Sequence, residues 1–125
     1  MTAPAHAMAA GKLLLSELDT HQVRSLFPSL VLPRRGPGTI TKRESLEKQL
    51  QDIKKSRVSF TFQESEAGIN SFAIPIFGTN WRNRVALVVS VPVIRGSQKR
   101  IKELAILTQA IIKNAGVDEK ALPTW

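Results

Sequence analysis

The sequence predicts an α+β fold, in which helices flank an antiparallel β-sheet, and two observations point to it. The first half of the 125-residue chain spaces its apolar residues three and four positions apart, as helices do. From Val58 to about Val93 the period falls to two, which is typical of strands with one buried face, and a helical period returns after Ser97. Helices on either side of a block of strands indicate the α+β class.

Two helices are predicted before residue 28. The first runs from about His6 to Leu18, and its spacing predicts one buried stripe: Met8, Leu14, Leu15 and Leu18. Asp19 or Thr20 is a suitable cap for a short second helix, which Pro28 would help to end.

A loop and a third helix follow. Residues 28–41 contain three prolines and two glycines, which exclude a helix and favour an extended surface loop. Thr41 and Glu44 have the T-x-x-E spacing of a capping box, which predicts the start of a helix there. That helix places three apolar residues on one face: Leu46, Leu50 and Ile53.

Three strands are predicted next, joined by short loops as an antiparallel meander. They cover residues 58–63, 69–77 and 84–93, and the first has Phe60 and Phe62 on its buried face. Ser90 lies among apolar residues of the third strand, where burial without a partner would cost about 1–3 kcal/mol, so we expect it to have a hydrogen-bond partner from the protein or a ligand.

The prolines of the strands and the last helix complete the prediction. Pro75 and Pro92 cannot donate to a ladder, which places each at an edge, a bulge or a strand end. Ser97 begins the last helix and Gly116 ends it. Its predicted stripe has seven members: Ile101, Leu104, Ala105, Thr108, Ile111, Ile112 and Ala115. Three strands are few for four helices, so we expect further strands or a partner chain to cover the sheet.

Composition excludes several classes of protein. With 42% apolar and 22% charged residues, the chain is predicted to be one folded domain. It has no cysteine, and His6 and His21 lie far apart, so neither a metal nor a cofactor is predicted. The chain shows no membrane-spanning run and no basic signal region, which predicts a cytoplasmic protein.

The formal net charge of +8 favours an anionic partner, although the basic residues are scattered as a solvated surface would be. Glu64 and Glu66 are the candidates for acid and base chemistry, but no nucleophile accompanies them. We therefore predict that the protein is not an enzyme and has no catalytic residue. The stretch around Gly68 is interpreted as a turn that leads into a buried strand.

Three stretches resemble one protein family in their order and spacing. They are "PAHAMAAGKLLL", "GTITKRESLEKQLQDIKKSRVSFTFQESEAGINSFAIPIFG" and "VALVVSVP". Together they resemble the effector-binding domain of IclR-family bacterial transcription regulators. The resemblance runs from about Pro4 to Gly116, which is nearly the whole chain.

This resemblance implies a GAF-like (GAF/PAS-like) domain that binds a small, usually anionic organic molecule and controls DNA binding by a winged helix. Residues 1–116 correspond to the later part of the effector-binding domain, and residues 117–125 form a tail. The winged helix and the first elements of the family domain have no counterpart here, so the domain is incomplete relative to the family.

The resemblance also implies the ligand-binding residues. Ala9, Ala10 and Gly11 match the helix start whose backbone amides suit a carboxylate. Four strand positions match the family's pocket residues: Thr61, Ser71, Val88 and Ser90. Thr61 stands where relatives often carry aspartate, and Val88 where they carry serine, which makes this pocket less polar.

Two functions from different classes remain open. The first is a small-molecule-sensing regulatory domain whose partners are a small organic acid and another copy of the chain, as a homodimer or homotetramer. It would contact DNA only through the absent winged helix. The second is an oligomerisation module with a degenerate pocket. Nucleic-acid binding by the chain itself ranks third, because no basic residues interleave with aromatic ones.

Overall fold

The computed structural model describes residues 5–76 and 86–114. A short 3-10 helix at Ala5–Ala7 precedes helix α1 at Ala9–Leu15 and helix α2 at Thr20–Leu26. Helix α3 at Arg43–Ser56 leads into strands β1 at Ser59–Phe62, β2 at Ile69–Pro75 and β3 at Ala86–Pro92, and helix α4 spans Gln98–Asn114. The predicted α+β class is confirmed. Within the described residues, no helix is both long and apolar enough to span a lipid bilayer.

The first predicted helix is shorter than expected, and its buried stripe is wrong. Met8 and Leu14 are 38% and 48% exposed, although Leu15 is buried. The buried positions follow a different helical stripe, whose members are Ala9, Lys12, Leu13 and Ser16. A lysine and a serine lie on the inner face, so apolar spacing alone did not reveal it.

Helix α2 begins as predicted. The Asp19 carboxylate accepts a hydrogen bond from the Gln22 N–H at 2.8 Å, and the Gln22 side chain accepts one from the Asp19 N–H at 3.0 Å. This reciprocal pair is a capping box.

Helix α3 begins after Lys42, and the predicted Thr41 cap is wrong. Lys42 forms an isolated antiparallel bridge with Val31, and the Leu32 N–H donates to the Thr41 carbonyl oxygen at 2.7 Å. Because this bridge keeps the chain extended through Lys42, the helix starts one residue later than the Thr41 cap requires. The predicted buried face is confirmed at Leu46, Leu50 and Ile53.

The three strands form the predicted antiparallel meander in the order β1-β2-β3. Pro75 and Pro92 are the last residues of their strands, as expected for residues that cannot donate to a ladder. Gly68 has a φ of +85° in the turn before β2, a conformation that favours glycine.

Helices cover both faces of the sheet. On one face, Ala73 packs with residues of α1 and α3 in the larger core cluster. On the other, Phe72 and Ile74 pack with Ile101 and Ala105 of α4 in a second cluster. The prediction for β1 is corrected here, since Ser59 and Thr61 are buried more deeply than its half-buried phenylalanines. In a sheet that is covered on both faces, apolar and polar residues need not alternate between a buried and an exposed face. The alternation in β1 therefore does not show which of its residues are buried.

Ser97 caps α4 as predicted, since its hydroxyl oxygen accepts a hydrogen bond from the Arg100 N–H at 3.2 Å. The predicted stripe is confirmed at Ile101 and Ala105, which are buried, but Ile111 is 66% exposed. The predicted stop at Gly116, the turn at residues 78–83 and the tail at 117–125 lie outside the described residues.

Candidate functional site

Three of the predicted ligand-binding residues form a single row across the sheet. Thr61 of β1 pairs with Ser71 of β2, which pairs with Ser90 of β3. The Thr61 and Ser71 hydroxyls are joined by a short hydrogen bond. Opposite residues in neighbouring strands share a face, so the three hydroxyl-bearing side chains belong to one surface. We call them the hydroxyl row.

A second row lies two residues along the strands. Ser59 pairs with Ala73, which pairs with Val88, the fourth predicted strand residue. The Ser59 hydroxyl is fully buried and makes no hydrogen bond within the described residues. Ser59 is therefore a polar member of this face that the resemblance did not include.

The side chains of the hydroxyl row are buried on β1 and β2 and exposed on β3. Thr61 and Ser71 are 1% and 6% exposed, whereas Ser90 is exposed and Val88 is 46% exposed. Within the described residues β3 is the last strand of the sheet, so its residues on this face, including Ser90, lack a full cover. The row is therefore accessible to solvent at its β3 end.

Helix α1, which contains the other predicted residues, packs against all three strands. Ala9 lies in the same core cluster as Ala73 and is 3% exposed, whereas Ala10 and Gly11 are half-buried. Met8, the cap residue, makes no side-chain hydrogen bond to the first turn of the helix. The structure thus places α1 on the same face of the sheet as the hydroxyl row.

Gly11 has a packing role of its own. A Cβ at this position would lie 2.5 Å from the carbonyl oxygen and 2.7 Å from the Cα of Ala5. Both atoms belong to the backbone, so a larger residue would push the 3-10 helix away from α1. The glycine is explained by this close approach of two backbone segments, whether or not its amide contacts a ligand.

Lys12 and Glu64 are in contact in the structure, which the sequence did not predict. The Lys12 ammonium donates to Glu64 Oε1 at 2.8 Å and to Gln49 Oε1 at 2.9 Å, and it also donates to the Phe60 carbonyl oxygen. Glu64 Oε2 accepts from the Phe62 N–H at 3.1 Å. Lys12 is 0% exposed and Glu64 4% exposed, so this ion pair is buried.

Burial lowers the pKa of Lys12 below its usual value, while the charge of Glu64 and its hydrogen bond act to raise it. Because both carboxylate oxygens of Glu64 are held, this residue is a structural partner rather than an acid or base. Glu66, its neighbour in the turn, is exposed. One signal in the sequence indicates that Lys12 faces inward: it lies in helical phase with Ala9, Leu13 and Ser16.

Two grooves lie elsewhere on the described surface. One, of about 300 Å³, opens between α2 and α3 around Val23, Glu47 and Leu50. The other, of about 310 Å³, lies beside β1 and includes Ile53, Phe60, Phe62 and Lys102. Neither groove includes a residue of the hydroxyl row.

Comparison with known proteins identifies the family of the chain. Residues 1–115 match the family model described as "Bacterial transcriptional regulator IclR C-terminal". The chain belongs to the IclR family. A relative, the Pca operon regulatory protein of Acinetobacter baylyi, is 32% identical over 96 residues, which are 77% of this chain and 34% of that protein. This IclR-family chain therefore spans about a third of that relative's length.

Solved IclR-family structures share the fold. A double mutant of the PobR inducer-binding domain from Acinetobacter, in complex with 3-hydroxybenzoic acid, matches with a TM-score of 0.75 and 26% identity. The match covers 90% of this chain and 65% of that one. An IclR homologue from Microbacterium hydrocarbonoxydans, in complex with 4-hydroxybenzoate, gives a TM-score of 0.64 and 25% identity over 82% of this chain and 43% of that one.

These findings confirm the resemblance seen in the sequence. The proteins that match are transcriptional regulators rather than enzymes, and this chain is an IclR-type C-terminal domain.

Proposed function

We propose that the chain is the small-molecule-sensing part of an IclR-type regulator and that it binds a small organic carboxylate between α1 and the sheet. The observation that carries this proposal is the hydroxyl row, in which Thr61, Ser71 and Ser90 lie opposite one another on three neighbouring strands. Hydroxyl groups both donate and accept hydrogen bonds, so the row offers several contacts to a carboxylate and to a ring hydroxyl.

The chemical groups on this face of the sheet indicate the class of ligand. Serine and threonine hydroxyls supply donors to a carboxylate, and the first-turn amides of Ala9, Ala10 and Gly11 would add backbone donors beside Met8, which provides no side-chain cap. Val88 and Ala73 supply an apolar wall next to the row. A polar row beside an apolar wall suits an aromatic acid. Two matched structures hold hydroxybenzoates, which supports this choice of ligand.

We infer that ligand binding changes the DNA affinity of a winged helix that lies outside these residues, in a cytoplasmic protein that works as a homodimer or homotetramer. Residues 1–116 would form the sensing unit and residues 117–125 a tail. The chain itself has no proposed contact with DNA or membrane and needs no cofactor.

Thermal unfolding with 4-hydroxybenzoate and 3-hydroxybenzoate tests the sensing function. A ligand at a hundredfold excess over its dissociation constant should raise the free energy of unfolding by about 2.7 kcal/mol. Ser90→Ala should reduce this gain without changing the unliganded melting temperature, because Ser90 is exposed. Ser71→Ala should reduce it further. Ser45→Ala, on the exposed surface of α3, is the matched control and should leave the gain unchanged.

The second candidate is an oligomerisation module without a working pocket. It is favoured by Val88, an exposed apolar side chain at a position where the family resemblance implies a serine, and by the apolar outer face of α4. Stabilisation by neither hydroxybenzoate, or stabilisation that ignores both Ser71→Ala and Ser90→Ala, would favour this function instead.

A further inference from the structure

Among the described residues no strand pairs with the outer edge of β1, and the proposed function leaves this edge unexplained. In an antiparallel pair, alternate residues direct their N–H and C=O groups toward the partner strand and away from it. The Gln63 N–H donates to the Ile69 carbonyl oxygen at 3.0 Å, which places Gln63 in the set that faces β2. Thr61 and Ser59 belong to the same set, so Phe60 and Phe62 direct their backbone groups outward.

These outward groups are bonded to the buried ion pair. The Phe60 carbonyl oxygen accepts from the Lys12 ammonium, and the Phe62 N–H donates to Glu64 Oε2 at 3.1 Å. A neighbouring strand would offer one donor and one acceptor at these two places. Lys12 and Glu64 offer the same two groups and are themselves joined at 2.8 Å.

The loop before α3 covers the end of the same edge. The Gly38 N–H donates to the Gln63 carbonyl oxygen at 2.9 Å, and a Cβ on Gly38 would lie 2.0 Å from the Phe62 carbonyl oxygen. The Thr39 hydroxyl donates to the carbonyl oxygen of Glu64. The backbone of this loop therefore lies directly against the edge, next to the ion pair.

We propose that Lys12 and Glu64 close the β1 edge in place of a fourth strand, so that a second copy of the chain cannot add a strand there. An unpaired strand edge is a template for pairing with another chain, and inward-directed charged groups are one way in which proteins block it. An apolar pair could fill the same volume but could not bond the two backbone groups. This role requires no ligand and is independent of the proposed sensing function.

Amide hydrogen exchange, measured residue by residue by NMR, tests the closure. In the wild-type chain at low concentration, the Phe62 amide should exchange slowly although it lies on the outer edge of the sheet. In the double variant Lys12→Met/Glu64→Ala, which leaves no lone buried charge, its exchange should rise by about tenfold or more. The Thr61 amide, which faces β2, should stay slow.

The second readout is assembly through the opened edge. As the concentration of the double variant increases, light scattering should detect more association than in the wild type at the same concentration, and the Phe62 amide should become slow again because a second copy pairs with it. The matched control is Lys48→Met/Glu66→Ala, which removes one exposed lysine and one exposed glutamate. It should behave as the wild type does in both measurements.

Several results would overturn the proposal. A Phe62 amide that exchanges freely in the wild-type monomer would show that the edge is open. This result needs no variant, so it overturns the proposal even if the double variant fails to fold. A folded double variant in which Phe62 stays slow at low concentration would show that other groups close the edge. If the double variant associates but its Phe62 amide still exchanges quickly, the contact between the copies lies elsewhere.

Discussion

At the scale of single residues, the decisive interaction is the one between Lys12 and Glu64. Lysine and glutamate are almost never fully buried unless they are paired, and here each also bonds a backbone group of β1. Removing one partner from such a pair leaves a buried charge without compensation, whereas removing both does not. The two residues should therefore behave as a unit when they are mutated.

Glu64→Gln should lower the free energy of unfolding by about 3–5 kcal/mol, because it leaves the Lys12 ammonium buried without its counter-charge. The double variant Lys12→Met/Glu64→Gln should be more stable than Glu64→Gln alone. Urea unfolding of the wild type, both single variants and the double variant measures this coupling. Additive losses would show that the two side chains do not act together. Glu66→Gln is the exposed control.

The lowered pKa of Lys12 has a defined effect on stability. Between the folded pKa and the usual value of 10.5, the unfolded chain binds more protons at this residue than the folded chain does. Stability contributed by Lys12 should therefore rise as the pH rises through that window. Comparing the free energy of unfolding of the wild type and Lys12→Met/Glu64→Gln from pH 7 to pH 10 measures this contribution without leaving a lone buried charge. If the free energy of unfolding of the wild type falls relative to that of the variant as the pH rises, this prediction is contradicted.

At the scale of elements, two capping signatures in the sequence had different outcomes. Asp19 and Gln22 form the reciprocal hydrogen bonds of a capping box at the start of α2. Thr41 and Glu44 have the same kind of spacing, but the bridge between Val31 and Lys42 moves the start of α3 past Thr41. Local sequence predicts a cap only where no tertiary contact holds the backbone in another conformation.

Asp19→Ala should therefore lower the free energy of unfolding by about 1 kcal/mol, since it removes the cap of α2. Thr41→Ala should change it by less than about 0.5 kcal/mol, as expected for a side chain that makes no capping bond. Chemical denaturation of both variants makes the comparison, with Asp19→Ser as a variant that keeps a capping oxygen. Equal losses for Asp19→Ala and Thr41→Ala would show that both signatures cap a helix.

At the scale of the whole molecule, apolar surface remains uncovered on the α4 side. Ile106, Leu107 and Ile111 of α4 are 66%, 56% and 66% exposed, on a helix whose inner face is already packed against the sheet. Exposed apolar patches of this kind are typical of surfaces that contact another chain or another segment. The small number of strands in the sequence predicted such a surface, but not that α4 would carry it.

The wild-type chain should self-associate at micromolar concentration, and Leu107→Lys/Ile111→Lys should weaken the association, because the two lysines place charge on the apolar outer face of α4. Sedimentation velocity over a range of concentrations measures the effect. Lys102→Ala/Lys113→Ala, a change of two exposed lysines on the same helix, serves as the control for altered charge. A wild type that stays monomeric at every concentration tested would contradict this prediction.

The sequence by itself determined the fold class, the order of the elements, the family and the residue types of the candidate site. Apolar periods of two and about four are local properties, so they can be read without knowing which segments meet. The same is true of the prolines at the strand ends and of Ser97 at the start of α4. The family resemblance alone implies Thr61, Ser71 and Ser90 as candidate ligand-binding residues.

Only the tertiary structure decided which of these residues meet. The register of the strands places the three hydroxyl-bearing residues in one row, and the meeting of α1 with β1 joins Lys12 to Glu64, which lies 52 residues away in sequence. The same packing buries Ser59 and Thr61 and leaves Ser90 exposed. Burial depends on which segments cover a residue, and periodicity along the chain carries no information about that cover.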